Sequence, residues 1–291
     1  MGNTRLEKFS AALYVVPAML IIGIVIIYSV IQVFLGSFMT VTGGEEVFAG
    51  FRNYELLFKD NLFVTSIKNN FFLFLCVPVM TLLALVVAVI LFDKMRFWKF
   101  YRSIIFVPFI LAVPVVGVIF TYILQLNGVI NTILRDVGLD AIALDWLGNP
   151  DIAIWSVGGV IIWKQFGFGV VLFLARLMSV DISLYEAAEV DGANWIQKFT
   201  NITIPMTASI IEFYVIISLI DMLSWVFSFV FVMTGGGPAN STTTLEFLIY
   251  KKSFAGGNYN YALAVSVFVL IIAIILIIIQ QSISKRREIH E

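Results

Sequence analysis

Long apolar stretches dominate this sequence and leave it few ways to fold. A transmembrane helix needs about 20 mostly apolar residues. Hydrophobic residues make up 60% of the 291 positions and charged residues 13%, whereas a soluble domain is about half apolar and a quarter charged. The sequence therefore predicts an all-α polytopic membrane protein. We expect its six transmembrane helices near residues 11–38, 66–92, 103–126, 152–178, 208–233 and 261–281.

The scarcest residue types limit the possible chemistry. Cys76 is the only cysteine, and His290 is the only histidine. An intrachain disulfide is therefore impossible, and a His/Cys metal site or a histidine-based catalytic triad lacks the residues that it needs. We expect no catalytic residues, no metal ligands and no enzyme activity in this chain. The apolar run from Ala11 to Leu35 is too long for a signal-peptide core, so we expect a retained first span.

Lysine and arginine are distributed unevenly between the two sides that these spans define. Cytoplasmic loops of membrane proteins carry the excess of Lys and Arg. The richer side holds Arg5, Lys8, Lys94, Arg96, Lys99, Arg102, Arg176, Lys198, Lys285, Arg286 and Arg287. The poorer side holds Arg52, Lys59, Lys68, Arg135, Lys251 and Lys252. We therefore expect cytoplasmic termini, residues 1–10 and 282–291, around a transmembrane domain at 11–281.

The outward segments differ from the spans in composition. Residues 39–65 and 127–151 are rich in Gly, Asn and acidic residues, and we expect loops there. At the end of the fifth span the run TGGGPANS, residues 234–241, has three glycines and a proline. Such a run cannot continue a helix, so we expect a sharp turn at the outer surface.

One polar segment on the cytoplasmic side, residues 183–205, has the pattern of a folded element. Ser183 and Glu186 have the spacing of a capping box, in which each side chain accepts a backbone N–H of the other residue. Gly192 can end the first helix in a left-handed conformation, and Asn194 can cap a second one. An ordinary interhelical loop is the alternative. The pattern predicts a short helix, a glycine turn and another short helix outside the bilayer.

The same segment carries a family resemblance. Glu186, Ala187, Ala188, Asp191, Gly192 and Ala193, followed by Ile202, Ile204 and Pro205, resemble the EAA signature of binding-protein-dependent ABC transporter permeases. The sugar-type subunits, similar to the maltose and glycerol-phosphate permeases, are the closest in pattern. Further similarities lie at Asn53-Tyr54, Trp146-Leu147, Thr234–Pro238, Tyr250 and Phe254, so the likeness covers roughly residues 50–280. Asp181 departs from it, because many relatives have proline there, and its side chain can start the helix by capping it instead.

The resemblance implies a type I ABC importer permease fold in a bacterial inner or plasma membrane, with residues 183–205 as a cytoplasmic coupling element. It also implies partners: a second permease subunit, two ATPase subunits and an extracellular solute-binding protein. This chain has no GxxxxGK[ST] loop, so we expect it to bind no cofactor and ATP with Mg²⁺ to be used by the ATPase. The residues implied in coupling are Tyr185, Glu186, Ala187, Ala188, Asp191, Gly192 and Ala193.

Three ionisable residues, Lys164, Glu212 and Asp221, fall inside the expected spans. Such groups are costly in lipid and face a bundle interior, a partner or water. They indicate a polar translocation path, a structural ion pair between Lys164 and Asp221, or a contact of Lys164 with the partner permease. They also leave open a different function, that of a self-sufficient secondary transporter or channel that uses these two residues.

The resemblance to maltose-type permeases implies a substrate pathway along faces of the third, fourth and fifth spans. Gln165 is its best polar candidate, because an amide both donates to and accepts from a hydroxyl. Phe168 and Trp225 can stack on a sugar face. The implied substrate is a sugar, an oligosaccharide or a related polyol, and no residue selects among them. The candidate pathway residues are Phe109, Ile161, Gln165, Phe168, Asp221, Met222, Leu223, Trp225 and Val226.

Overall fold

The computed structural model describes the backbone of residues 3–93, 96–255 and 257–288, and side chains between residues 14 and 282 within these ranges. Several residues used above to assign the cytoplasmic side lie outside the described side chains: Arg5, Lys8, Lys94, Lys285, Arg286 and Arg287. The chain divides into two compact units. The first comprises residues 1–60 and 249–270, and the second comprises residues 61–248 and 271–291.

Helices make up most of the described chain. The helices are α1 Asn3–Gly36, α2 Arg52–Lys59, α3 Asn61–Phe74, α4 Cys76–Phe92, α5 Trp98–Ile110, α6 Val113–Leu124, α7 Val129–Asp136, α8 Ala153–Leu177, α9 Ser183–Val190, α10 Trp195–Lys198, α11 Ile204–Ser224, α12 Val226–Met233, α13 Leu245–Tyr250 and α14 Tyr259–Glu288. Short π-helical turns follow α10 and α13, and a 3₁₀ turn covers Asp140–Ile142. Within the described residues, six helical segments have the length and apolar composition to cross a membrane.

The first unit joins the end of α1 to a small antiparallel hairpin. Strands β1, Met39–Thr42, and β2, Glu45–Phe48, pair with Thr42 opposite Glu45. Asn53 on α2 holds the junction, since its Nδ2 donates to the carbonyls of Ser37 and Met39 at 2.7 Å each. The segment expected as an outer loop, residues 39–65, thus contains a hairpin, helix α2 and the start of α3. The sequence signal for this hairpin is weak, because every β2 side chain is exposed and the strand therefore has no alternation of buried and exposed residues.

The second unit is organised around α8, which packs against α4, α5 and α11. Small residues on α8 permit close helix packing. A side chain at Gly167 would collide with the backbone of Ile105 on α5, and one at Gly169 would collide with Tyr214 on α11. This tight packing holds the α5, α8 and α11 faces together, and most of the candidate pathway residues lie on those helices.

Three of the expected spans are each built from two helices rather than one. The second is interrupted at Leu75, the third at Leu111 and Ala112, and the fifth at Trp225. Proline explains the interruption of the third span, because Pro114 has no N–H to donate to the carbonyl one turn earlier. No proline or glycine marks the break at Trp225. That break depends instead on side chains from other helices, which are described below.

Candidate functional site: the coupling element and the intramembrane pathway

The polar segment forms the expected helix, turn and helix, and of the two candidate caps for the first helix only Asp181 is used. Helix α9 begins at Ser183 without a side-chain cap from that serine. Asp181 caps the helix instead, since its Oδ1 accepts the Ser183 N–H at 3.0 Å. This hydrogen bond holds the pKa of the Asp181 carboxyl below its usual range. The capping box between Ser183 and Glu186 was wrong because Ser183 already lies inside the helix.

The turn after α9 requires glycine. Gly192 has a φ of 77°, in the left-handed region that side chains disfavour. Its N–H donates to the Glu189 carbonyl at 3.0 Å, and the Ala193 N–H donates to the Ala188 carbonyl at 2.9 Å. These are the two hydrogen bonds of a Schellman motif, which satisfies the last carbonyls of a helix. The expected helix stop is therefore present at this residue.

Helix α10 has a complete capping box. The Asn194 Oδ1 accepts the Gln197 N–H at 2.9 Å, and the Gln197 Oε1 accepts the Asn194 N–H at 2.8 Å. Lys198 forms an ion pair of 2.7 Å with Glu189 and so joins α10 to α9. A surface ion pair contributes little by itself, but together with the cap it restricts the angle between the two helices.

Aromatic contacts occur both within this element and between it and the end of the second span. The Tyr185 and Phe92 rings lie 5.5 Å apart, and the Trp195 ring stacks on Phe199 at 5.0 Å. Tyr185 Oη also lies 3.1 Å from Thr203 Oγ1, so the two hydroxyls share a hydrogen bond. A cavity of about 570 Å³ lies between the element and the span ends. The contact between Tyr185 and Phe92 therefore joins the element to the end of the second span, and the other two contacts lie within the element.

The residues of the EAA signature in this element differ in their exposure to solvent. Tyr185, Ala188 and Ala193 are half-buried, whereas Glu186, Ala187, Asp191 and Gly192 are exposed. Large apolar side chains are exposed beside them: Val190 retains 88% of its accessible surface and Ile196 retains 65%. Exposed apolar residues with polar residues at their edge are a feature of protein–protein interaction sites.

The candidate pathway residues divide into two groups. Phe109, Gln165, Phe168 and Asp221 are half-buried, and Trp225 is exposed. Phe168 lies flat against Phe109, with ring centroids 4.8 Å apart. The other group is buried within the chain, with at most 2% of each residue exposed, and comprises Ile161, Met222, Leu223 and Val226. In this conformation only the first group can contact a solute.

The ion pair between Lys164 and Asp221, one of the alternatives left open by the sequence, is absent from the described residues. The Lys164 ammonium instead donates to the Phe109 carbonyl at 2.9 Å and lies 5.3 Å from the centre of the Phe109 ring. Phe109 is the second-last residue of α5, where carbonyls have no partner within the helix. Lys164 thus caps the end of a broken span, a role that residue type alone does not reveal.

Other buried polar residues near the pathway were missed from the sequence. Tyr214 on α11 is 1% exposed, and its hydroxyl donates to the Gln165 carbonyl at 3.3 Å. Asn69 and Asn70 on α3 are 5% and 2% exposed. Two adjacent amides inside an apolar segment were the sequence signal that could have identified Asn69 and Asn70. Polar side chains within a span are retained for a contact or a function.

Comparisons with known proteins agree with this architecture. The family model described as "Binding-protein-dependent transport system inner membrane component" matches residues 58–289. The lactose transport system permease protein LacF of Rhizobium radiobacter is 33% identical over 246 residues, which cover 83% of this chain and 82% of LacF. The probable ABC transporter permease protein PH1215 of Pyrococcus horikoshii is 32% identical over 252 residues, with 85% and 86% covered.

A solved structure gives the same result for the fold. One chain of a bacterial ABC transporter involved in the import of the acidic polysaccharide alginate superposes with a TM-score of 0.77. It is 26% identical, and the alignment covers 97% of this chain and 99% of that one. The described helices therefore form the ABC importer permease fold. The family match and this fold establish that the chain belongs to the binding-protein-dependent transport system inner membrane components.

Proposed function

We propose that this chain forms half of the transmembrane pathway of an ATP-driven sugar importer. Family membership carries the proposal, since family members are inner membrane components of binding-protein-dependent transport systems. Similar chains are permeases for lactose in Rhizobium radiobacter and for trehalose and maltose in Thermococcus litoralis. A second permease, which is a copy of this chain or a different one, completes the pathway. An extracellular binding protein delivers a sugar, an oligosaccharide or a related polyol to it.

The energy enters through residues 183–205. The exposed Glu186, the fixed turn at Gly192 and the apolar Val190 and Ile196 make a small rigid surface with mixed chemistry. Two partner ATPase subunits, which use ATP and Mg²⁺, dock here and on the equivalent surface of the second permease. This element and both termini lie in the cytoplasm, in agreement with the distribution of Lys and Arg.

The solute contacts the half-buried and exposed members of the pathway set. The Gln165 amide and the Asp221 carboxyl supply hydrogen bonds to hydroxyl groups. The Trp225 side chain, 63% exposed, supplies an aromatic face. A self-sufficient transporter driven by Lys164 and Asp221 has less support, because the two side chains do not pair and the Lys164 ammonium is bound by a carbonyl.

Replacement of a coupling residue tests this function. Glu186→Lys reverses a charge on the proposed docking surface without altering any described hydrogen bond. The tagged chain is expressed with its partner subunits, and we measure the ATPase that copurifies and the ATP-dependent uptake of radiolabelled lactose, trehalose and maltose. Glu186→Lys is expected to lose most of the ATPase and of the uptake while the chain still inserts into the membrane.

The matched control is Glu45→Lys, the same charge reversal at an exposed carboxylate of the hairpin. It is expected to retain the ATPase. A Glu186→Lys chain that binds the ATPase and transports as well as the control would remove the coupling role. Uptake by the unmodified complex that persists without any ATPase subunit would reject the importer itself.

A further inference from the structure

The break in the fifth span lies next to the pathway residues. Helix α11 ends at Ser224 and α12 begins at Val226, with Trp225 between them at φ −118° and ψ −9°. A break removes backbone groups on both sides from the helical hydrogen bonds. Inside a membrane these groups need partners within the protein. The partners found here come from two other helices.

Asn70 satisfies the carbonyl side of the break. Its Nδ2 donates to the Met222 carbonyl at 3.0 Å. The other end of the same amide, Oδ1, accepts the Leu245 N–H at 2.9 Å. Asn69 adds a parallel contact, since its Nδ2 donates to the Thr243 carbonyl at 2.8 Å. Helix α3 thus connects the end of α11 to the start of α13 through side chains that are almost completely buried.

Glu246 satisfies the amide side of the break. Its Oε2 accepts the N–H of Phe227, in the first turn of α12, at 2.8 Å. Glu246 follows Leu245 directly, so the two contacts across the break are linked by one peptide group. The residue lies between the candidate spans, and burial raises its pKa to about 8. At neutral pH the carboxyl is therefore mostly protonated and accepts through its neutral oxygen.

We propose that Asn70 and Glu246 are positioning residues that together form a polar clamp on the break at Trp225. The clamp fixes the bend between α11 and α12 and thereby the orientation of Asp221 and Trp225 along the pathway. It acts through backbone groups rather than by touching the solute. The proposal depends on the proposed transport function, because an altered bend is detected as altered transport.

The geometry accounts for a break without proline or glycine. An uninterrupted helix would satisfy the Met222 carbonyl and the Phe227 N–H by itself, so nothing in the local sequence requires the bend. The two side chains offer these groups an equally good alternative at 3.0 and 2.8 Å. Such a bend is held from outside the helix, and removal of the clamp lets α11 and α12 approach a straight helix.

Substitutions that keep the size but remove the acceptor test the clamp. Glu246→Leu cannot accept the Phe227 N–H, whereas Glu246→Gln retains an amide oxygen in the same position. The complete transporter is reconstituted in proteoliposomes with its binding protein, and uptake is normalised to the amount of assembled complex. We expect Glu246→Leu to lower uptake at least about tenfold and Glu246→Gln less than about threefold, with ATP hydrolysis in the absence of binding protein unchanged.

The Asn70 variants test the other half of the clamp. Asn70→Asp keeps an acceptor for Leu245 but loses the donor to Met222, so it is expected to lower uptake in the same way. Because both residues hold one bend, the double variant Asn70→Asp/Glu246→Leu is expected to be no worse than the poorer single variant, rather than the product of the two losses.

Distinct results separate the two proposals. An unmodified complex without ATP-driven uptake rejects the proposed function. If that complex transports, then wild-type uptake per assembled complex in Glu246→Leu, or an equal loss in Glu246→Gln, rejects the clamp. Failure of both Glu246→Leu and Asn70→Asp to assemble also rejects it, because the contacts would then support folding and not the orientation of the pathway.

Discussion

Replacement of Gly192 measures how much the shape of the coupling element contributes to transport. The φ of 77° at this residue is unfavourable for a side chain, and no atom lies within 4 Å of the position of an added Cβ. The only cost of Gly192→Ala is therefore the backbone strain of alanine in the left-handed conformation, roughly 1–2 kcal/mol. That energy lowers the ratio of the turned to the unturned segment by about 5- to 30-fold.

A graded series follows from the same reasoning. Asparagine tolerates the left-handed region better than alanine does, so Gly192→Asn is expected to be milder than Gly192→Ala. Gly192→Pro is the most severe, because proline holds φ near −65° and lacks the N–H that donates to the Glu189 carbonyl at 3.0 Å. The affinity of the ATPase subunit for proteoliposomes, measured by cosedimentation, is expected to fall in the order Gly, Asn, Ala, Pro.

Gly138 provides the matched control. It has a φ of 76° and equally open surroundings, but it follows α7, far in sequence from the coupling element. Gly138→Ala carries the same strain and is expected to leave ATPase affinity unchanged. The need for a fixed turn is refuted if Gly192→Ala and Gly192→Pro bind the ATPase as tightly as the Gly138→Ala control does. It is also refuted if Gly192→Asn binds the ATPase more weakly than Gly192→Ala does.

Three further outcomes are expected. Gly167→Ala places a methyl group against the Ile105 backbone and is expected to cost about 1–3 kcal/mol, seen as a lower Tm; Gly159→Ala, with nothing within 4 Å, is expected to cause no decrease. Asn194→Ala removes a helix cap worth about 1 kcal/mol, so ATPase affinity is expected to fall severalfold. Burial raises the pKa of Glu246 from 4.5 to about 8, so the stability associated with its protonated form is fully present below pH 4.5 and is lost progressively as the pH rises to about 8. The Tm is expected to fall over that range and to level off above it, and Glu246→Gln is expected to flatten that profile. The first prediction is contradicted if Gly167→Ala and Gly159→Ala change the Tm equally. The second is contradicted if Asn194→Ala leaves the ATPase affinity unchanged. The third is contradicted if the unmodified chain and Glu246→Gln have the same pH profile of the Tm.

Much of the architecture follows from local sequence. Uninterrupted apolar length determines the number of membrane helices, because bilayer thickness sets the length that each helix must have. The glycine turn and the cap at Asn194 were also predictable. Both depend on the backbone conformation of single residues, which residue type strongly constrains. The signature around Glu186 pointed to the family before the fold was known.

The first cap of the coupling element lay at the limit of such reasoning. Ser183 and Asp181 both have side chains that can accept an N–H near the start of α9. The choice depends on which residue has already entered the helix. In the structure Ser183 is helical and Asp181 accepts its N–H. Helix boundaries shift by one or two residues with small changes in packing, so the sequence offered both residues as caps and the structure selected Asp181.

The interior of the membrane domain was decided by tertiary structure. The sequence by itself determined that Lys164 and Asp221 are ionisable groups inside apolar segments, and hence that each needs a partner. It did not single out Asn70 or Glu246. It could not determine the partners, which are separated by 55 residues for Lys164 and 152 for Asn70. Lys164 contacts a helix end rather than Asp221, and Asn70 and Glu246 hold a bend that no local residue encodes. A hydrogen bond depends on distance and direction in space, and only the packed helices provide these.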